Sequence, residues 1–130
     1  MSQYLLDTHT LLWWDSQSEK VGERALGLLR GQGHTFLVSQ ASIWEIAIKS
    51  RLGKLTLPAE LGQWIQESVI EGGFRLAPIE LSAILETSKL PLHHQDPFDR
   101  LLIAQARVNQ WVVLGADLQW DAYEIERVWS

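Results

Sequence analysis

Asp96-Pro97-Phe98-Asp99-Arg100-Leu101-Leu102-Ile103-Ala104-Gln105-Ala106 reads as the opening of an apolar helix with two carboxylates at its mouth. Asp96 is a good N-cap, Pro97 suits the first helical position, where an N–H would have no partner, and Asp99 falls in the first turn, where the helix dipole favours negative charge. From Leu101 to Ala106 the segment has little polar surface until Arg107 and Asn109, so the helix is expected to be largely buried. A carboxylate anchored at the rim of a buried helix is held still. Asp99 also has a plainer reading, as the third-position member of a capping arrangement, and the segment alone leaves both open.

Working outward, residues 90–95 form a loop that carries Pro91 and the pair His93-His94. The pair lacks the Cys or spaced His partners of a zinc site and is expected to lie near the helix mouth as bystanders. On the other side, Trp111-Val112-Val113-Leu114 is the strongest strand signal in the chain, and Gly115-Ala116-Asp117 ends it. Asp117 reads either as a turn residue or as an acid at a strand terminus. In the tail, Leu118, Trp120 and Tyr123 are expected to cover the core, and Val128-Trp129 to add an edge strand.

Toward the N-terminus the same alternation of strand and helix recurs. Tyr4-Leu5-Leu6 is a short buried strand, Asp7 stands at its carboxyl end, and residues 8–14 continue as helix. Asp7 has two readings, N-cap of that helix or ligand-facing acid at the end of a parallel strand. A helix over residues 21–30 is stopped by Gly31 and Gly33, and Thr35-Phe36-Leu37-Val38 makes a second strand ending at Ser39. The helix over residues 40–52 is apolar around Glu45. That acid is either an exposed partner of Lys49 four residues on or a group projecting toward the strand ends that carry Asp7. Residues 58–71 form another amphipathic helix, residues 74–79 a third strand shortened by Pro78, and residues 80–88 a short helix built on Leu81, Ile84 and Leu85. Strand-helix repetition calls for a three-layer α/β/α sandwich around a mainly parallel sheet of four to five short strands, with right-handed crossovers.

With 130 residues, the chain is expected to be a single domain, 1–130. It has no cysteine, no apolar run of membrane-spanning length and no basic leader, which sets a cytoplasmic location as the expectation and excludes a disulfide framework. Sixteen acids against eleven bases give a net charge of -5, which excludes a protein that coats nucleic acid through a broad basic surface. Contact with nucleic acid would then depend on local bases or bridging metal.

Taken singly, each acid has a structural explanation; together Asp7, Glu45, Asp99 and Asp117 converge on one edge of such a sheet. Four carboxylates without cations would repel one another and take up protons, so the arrangement makes sense with a divalent ion bound. Oxygen ligands with no cysteine point to Mg²⁺, with Mn²⁺ as a substitute, and the natural chemistry is phosphodiester hydrolysis by a metal-activated water.

In order and spacing, Leu5-Leu6-Asp7-Thr8-His9, Ser39-Gln40-Ala41-Ser42-Ile43-Trp44-Glu45-Ile46, the Asp96-to-Ala106 stretch and Gly115-Ala116-Asp117 resemble the successive motifs of PIN-domain ribonucleases, closest to VapC-type toxins of toxin–antitoxin pairs. The resemblance spans nearly the whole chain and implies Mg²⁺-dependent endonucleolytic cleavage of RNA. It further implies a cognate VapB-like antitoxin that inserts into the active-site groove, and a homodimer. Carried over position by position, Asp7, Glu45, Asp99 and Asp117 match the acidic quartet, with Asp7 and Asp99 as direct metal ligands. The chain departs from the pattern at Gly115, where the family often has Thr or Ser; Ser39 or Thr8 is then expected to supply the hydroxyl. Lys49, Arg51, Lys54 and Arg100 are the bases expected to meet RNA phosphates.

Two other readings fit less well. An aspartyl phosphotransferase would need a second acid two residues after Asp7, where this chain has His9. A nucleotide-binding module would need a glycine-rich phosphate loop, and the sequence contains none.

Overall fold

The computed structural model describes residues 2–130. Five short strands, β1 (Gln3–Leu6), β2 (Thr35–Ser39), β3 (Arg75–Ala77), β4 (Val112–Leu114) and β5 (Arg127–Val128), form one sheet in the order β3-β2-β1-β4-β5 with every pairing parallel. The helices are α1 (Thr8–Ser16), α2 (Glu23–Arg30), α3 (Gln40–Arg51), α4 (Leu61–Trp64), α5 (Leu81–Thr87) and α6 (Pro97–Asn109). Leu6 pairs with Leu114, so the chain leaves β1 and β4 at the same level and Asp7 and Gly115 emerge side by side.

The sheet is buried on both faces, and side chains alternate between two apolar clusters as a strand's twofold period requires. Tyr4, Leu6, Val38 and Leu114 join α1, α2 and the α4 segment on one side; Leu5, Leu37 and Val113 join α5 and α6 on the other. Helix α3 gives Ala41 to one cluster and Ile46 to the other, and so ties the layers together. This is the expected α/β/α sandwich.

Two elements differ from the sequence reading. The helix expected from Pro58 starts a turn later, because the Glu60 carboxylate accepts hydrogen bonds from the N–H groups of Gly62 and Gln63 and fixes the start there. After Trp64 it widens into a π-helical turn (Ile65–Ile70), and both Trp64 and Val69 reach the core. The expectation that α5 is built on Leu81, Ile84 and Leu85 is corrected: these are 69%, 47% and 56% exposed, and the small Ala83 is the residue packed inside.

Candidate metal centre

The order of the strands reverses between β1 and β4, and in parallel α/β sheets the crevice outside the carboxyl ends at such a reversal is where ligands bind. Asp7 follows β1 at this point, with its N–H donating to the Leu114 carbonyl at 3.0 Å. It occupies the N-cap position of α1, yet its side chain makes no capping bond. Asp117 follows β4; its Oδ1 caps the turn over Leu118–Tyr123 by accepting from the Gln119 N–H at 2.9 Å, while Oδ2 faces inward. Glu45 comes from the second turn of α3. It does pair with Lys49, at 2.6 Å, but Glu45 is only 3% exposed, so this is not the solvated surface pair of the plainer reading. Asp99 stands in the first turn of α6, where the Asp96 carboxylate caps its N–H at 3.0 Å.

Asp7 and Asp99 stand close enough to the other acids to feel their charge. Burial, above all, raises the Asp7 carboxyl from 3.8 to about 7; the Thr8 backbone N–H works against this, and the charges of Glu45, Asp117 and Asp96 add to it. Asp99 is also raised to about 7, by burial first and then by Asp7 and Asp96, with His94 opposing and Glu45 adding. Lys49 is raised by its hydrogen bond to Glu45. Two buried oxygens, Asp7 Oδ1 and Glu45 Oε1, have no hydrogen-bond partner among the described residues. Buried carboxylate oxygens left unpaired among like charges are a fit for a divalent cation and a poor fit for an isolated protein interior. A side chain at Gly115 would crowd this place, since a Cβ there would stand 3.2 Å from the Asp7 Cβ.

The histidine pair divides. His93 is exposed with its ring 5.4 Å from Tyr123, whereas His94 Nε2 lies 3.1 Å from Asp99 Oδ2 and 3.2 Å from Asp117 Oδ2. His94, Asp99 and Asp117 thereby present ligand atoms within 4.8 Å of one another. A zinc-type spacing rule passed over His94 because its partners are carboxylates; its place two residues before the Asp96 cap was the available signal.

The expected substrate-facing hydroxyls and bases mostly have other tasks. The Ser39 hydroxyl is buried and donates to Gln105 Oε1, and the Thr8 hydroxyl is buried and donates to Ser42 Oγ at 2.8 Å, so neither replaces the hydroxyl missing at Gly115. The Arg100 guanidinium donates to the carbonyls of Thr87, Leu90, Pro91 and His94, leaving only Nε–H; it clamps the loop and is corrected from an RNA contact to a positioning residue. Lys49 and Lys54 do border an open groove of about 430 Å³ that runs from Thr8 past Leu12, Trp13 and Leu55. Trp44 is exposed and meets Phe98 edge-to-face at 5.3 Å beside Glu45 and Asp99.

A family model described as PIN domain matches residues 4–126. No curated protein matches the chain. Among solved structures, a chain of VapBC2 from Rickettsia felis bound to a promoter DNA fragment superposes with a TM-score of 0.72 at 11% identity, covering 98% of this chain and 99% of that one. A chain of DNA-bound VapBC from Salmonella typhimurium gives 0.72 at 14% identity over 98% of both chains. VapBC-1 from nontypeable Haemophilus influenzae gives 0.68 at 14%, covering 97% and 96%. At these identities the likeness is one of fold.

Proposed function

The chain belongs to the PIN-domain family, and from that premise we propose that it is one PIN domain acting as a divalent-metal-dependent endoribonuclease, the toxin of a VapBC-type toxin–antitoxin pair. The observation that carries this reading is the unpaired pair of buried oxygens, Asp7 Oδ1 and Glu45 Oε1, in a cluster of acids at the strand-order reversal.

Asp7 and Asp99 would hold the ion, with Glu45 and Asp117 completing the acidic set; by its oxygen ligands alone that set suits Mg²⁺, with Mn²⁺ as its substitute. When bound, such an ion supplies a water of lowered pKa and neutralises charge on the phosphate and leaving oxygen. Lys49, held at the rim by Glu45, offers its remaining N–H donors to the RNA backbone, and Lys54 extends that positive edge along the groove. The resemblance to VapBC complexes supports a VapB-like antitoxin that seats in the same crevice, and the apolar face of α5 supports a homodimer. The cytoplasm is the proposed place of action; no helix among the described residues is long and apolar enough to cross a membrane.

Purified protein is expected to cleave RNA with added Mg²⁺ or Mn²⁺ and to stop on chelation. Asp7→Asn and Asp99→Asn are expected to reduce cleavage to background while circular dichroism stays that of the parent. Cleavage that survives either substitution in a folded variant removes that residue from the metal centre.

A further inference from the structure

We propose that His94 is itself a ligand of the ion, making the centre a mixed nitrogen and oxygen site that favours Mn²⁺, or another first-row divalent ion, over Mg²⁺. The inference rests on the reading of the acidic cluster as a metal centre and changes its composition.

Geometry is the first support. Nε2 of His94 lies 3.1 Å and 3.2 Å from one oxygen each of Asp99 and Asp117. Adjacent ligands on an octahedral ion with bonds of 2.0–2.1 Å stand about 3 Å apart, so Nε2 already keeps the spacing of a neighbouring ligand from each carboxylate, and the three atoms lie within 4.8 Å of one another. The imidazole also shares this pocket with the two acids that the sequence places at a helix mouth and a strand end.

The second support is the effort spent on holding this residue. The His94 N–H donates to the Tyr123 hydroxyl at 2.6 Å, and its carbonyl accepts from Arg100 Nη1 at 3.1 Å. Tyr123 is buried and its hydroxyl donates a hydrogen bond to the Pro91 carbonyl at 2.9 Å. Arg100 then closes on Pro91, Leu90 and Thr87. A loop that delivers only a bystander has no need of a guanidinium and a buried phenol fixing the peptide groups on both sides of one residue. Ligands that must be held to fractions of an ångström do need such backing.

Ligation by Nε2 puts the ring proton on Nδ1. The contact that gives way is the one from the Asp96 N–H to Nδ1, already long at 3.3 Å. A nitrogen donor disfavours Mg²⁺, which prefers oxygen and water, and is accepted by first-row ions.

The test is electron spin-echo modulation of Mn²⁺ added to the intact protein, beside calorimetric titration with Mn²⁺ and with Mg²⁺. The wild type is expected to show the modulation of directly bound ¹⁴N and to bind Mn²⁺ more tightly than Mg²⁺. His94→Asn is expected to lose the ¹⁴N signal and weaken Mn²⁺ by about tenfold or more, the scale seen even for groups that only orient a ligand; His93→Asn is expected to keep both. Mn²⁺ bound with no ¹⁴N modulation in the wild type, or a ¹⁴N signal that persists in His94→Asn, overturns the role of His94 and leaves the acidic centre standing. Failure of the wild type to bind Mn²⁺ at all overturns the metal centre with it. The wild-type spectrum decides even if the variant folds poorly.

Discussion

At the scale of single residues, the acids were legible because each interrupts an apolar run at the place where a strand ends or a helix begins. Asp7, Glu45, Asp99 and Asp117 could be picked out on that ground alone, and the fold brings them near enough that Asp7 feels the charge of Glu45 and Asp117, and Asp99 that of Asp7 and Glu45. Arg100, Ser39 and Thr8 were not legible in the same way. A guanidinium or hydroxyl looks identical in sequence whether it faces solvent or spends its donors on carbonyls and side chains folded over it, and only the tertiary structure makes that choice. The raised carboxyls of Asp7 and Asp99 have a measurable consequence. With proton affinities near 7 in the fold against 3.8 ordinarily, the folded chain binds more protons than the unfolded one across that interval. The stability that these two carboxyls contribute to the metal-free protein is therefore fully present below about pH 4 and is lost as the pH rises through about 7. Melting temperature without metal is expected to fall from mildly acidic to mildly alkaline buffer, and Asp7→Asn to flatten the fall, with a gain of about 1–3 kcal/mol on the alkaline side. Binding of Mn²⁺ near neutrality is expected to release protons, read as a buffer-dependent heat by calorimetry. A metal-free melting temperature that climbs with pH, or a heat independent of buffer, contradicts this account.

At the scale of elements, α6 shows how far local rules reach. Asp96 caps, Pro97 takes the first position and the apolar run from Leu102 to Ala106 is buried, as read from the residues. Local rules failed for α5, where three large apolar side chains looked like a core face. They face out because α5 lies against α6 through Ala83, whose small side chain lets the two backbones approach closely, and the larger residues have no room on that side. Apolar surface of this kind on a short helix is expected to be covered by a second copy of the chain. Sedimentation or light scattering is expected to report a dimer for the parent and a monomer for Leu81→Lys combined with Leu85→Lys, with the fold retained since both positions are exposed. A parent that is monomeric at high concentration, or a double variant that still dimerises, removes α5 from that role.

At the scale of the whole molecule, the alternation of strand and helix was enough to imply the parallel sandwich, because parallel strands need crossovers and helices are what the intervening sequence can form. The order of the strands was not readable, since short apolar runs carry no label of their neighbours. The tail after β5 is seated on α2 by one tight approach: the Trp129 carbonyl accepts from the Ala25 N–H at 3.0 Å, and a Cβ on Gly22 would meet that carbonyl oxygen at 2.3 Å. Gly22→Ala is expected to push the tail off α2 and cost about 1–3 kcal/mol, the range typical of overpacking, seen as a lowered melting temperature with metal affinity little changed; an unaltered melting temperature would show that the tail yields freely.

The central place of β1 bears on how the centre is put together. Asp7 follows β1, but the strand beside it is β4 and Asp117 is supplied only after that strand. A centre that draws its acids from both sides of the seam between β1 and β4 stays incomplete until the segment after β4 is in place, so a chain cut short before Asp117 is expected to hold metal poorly.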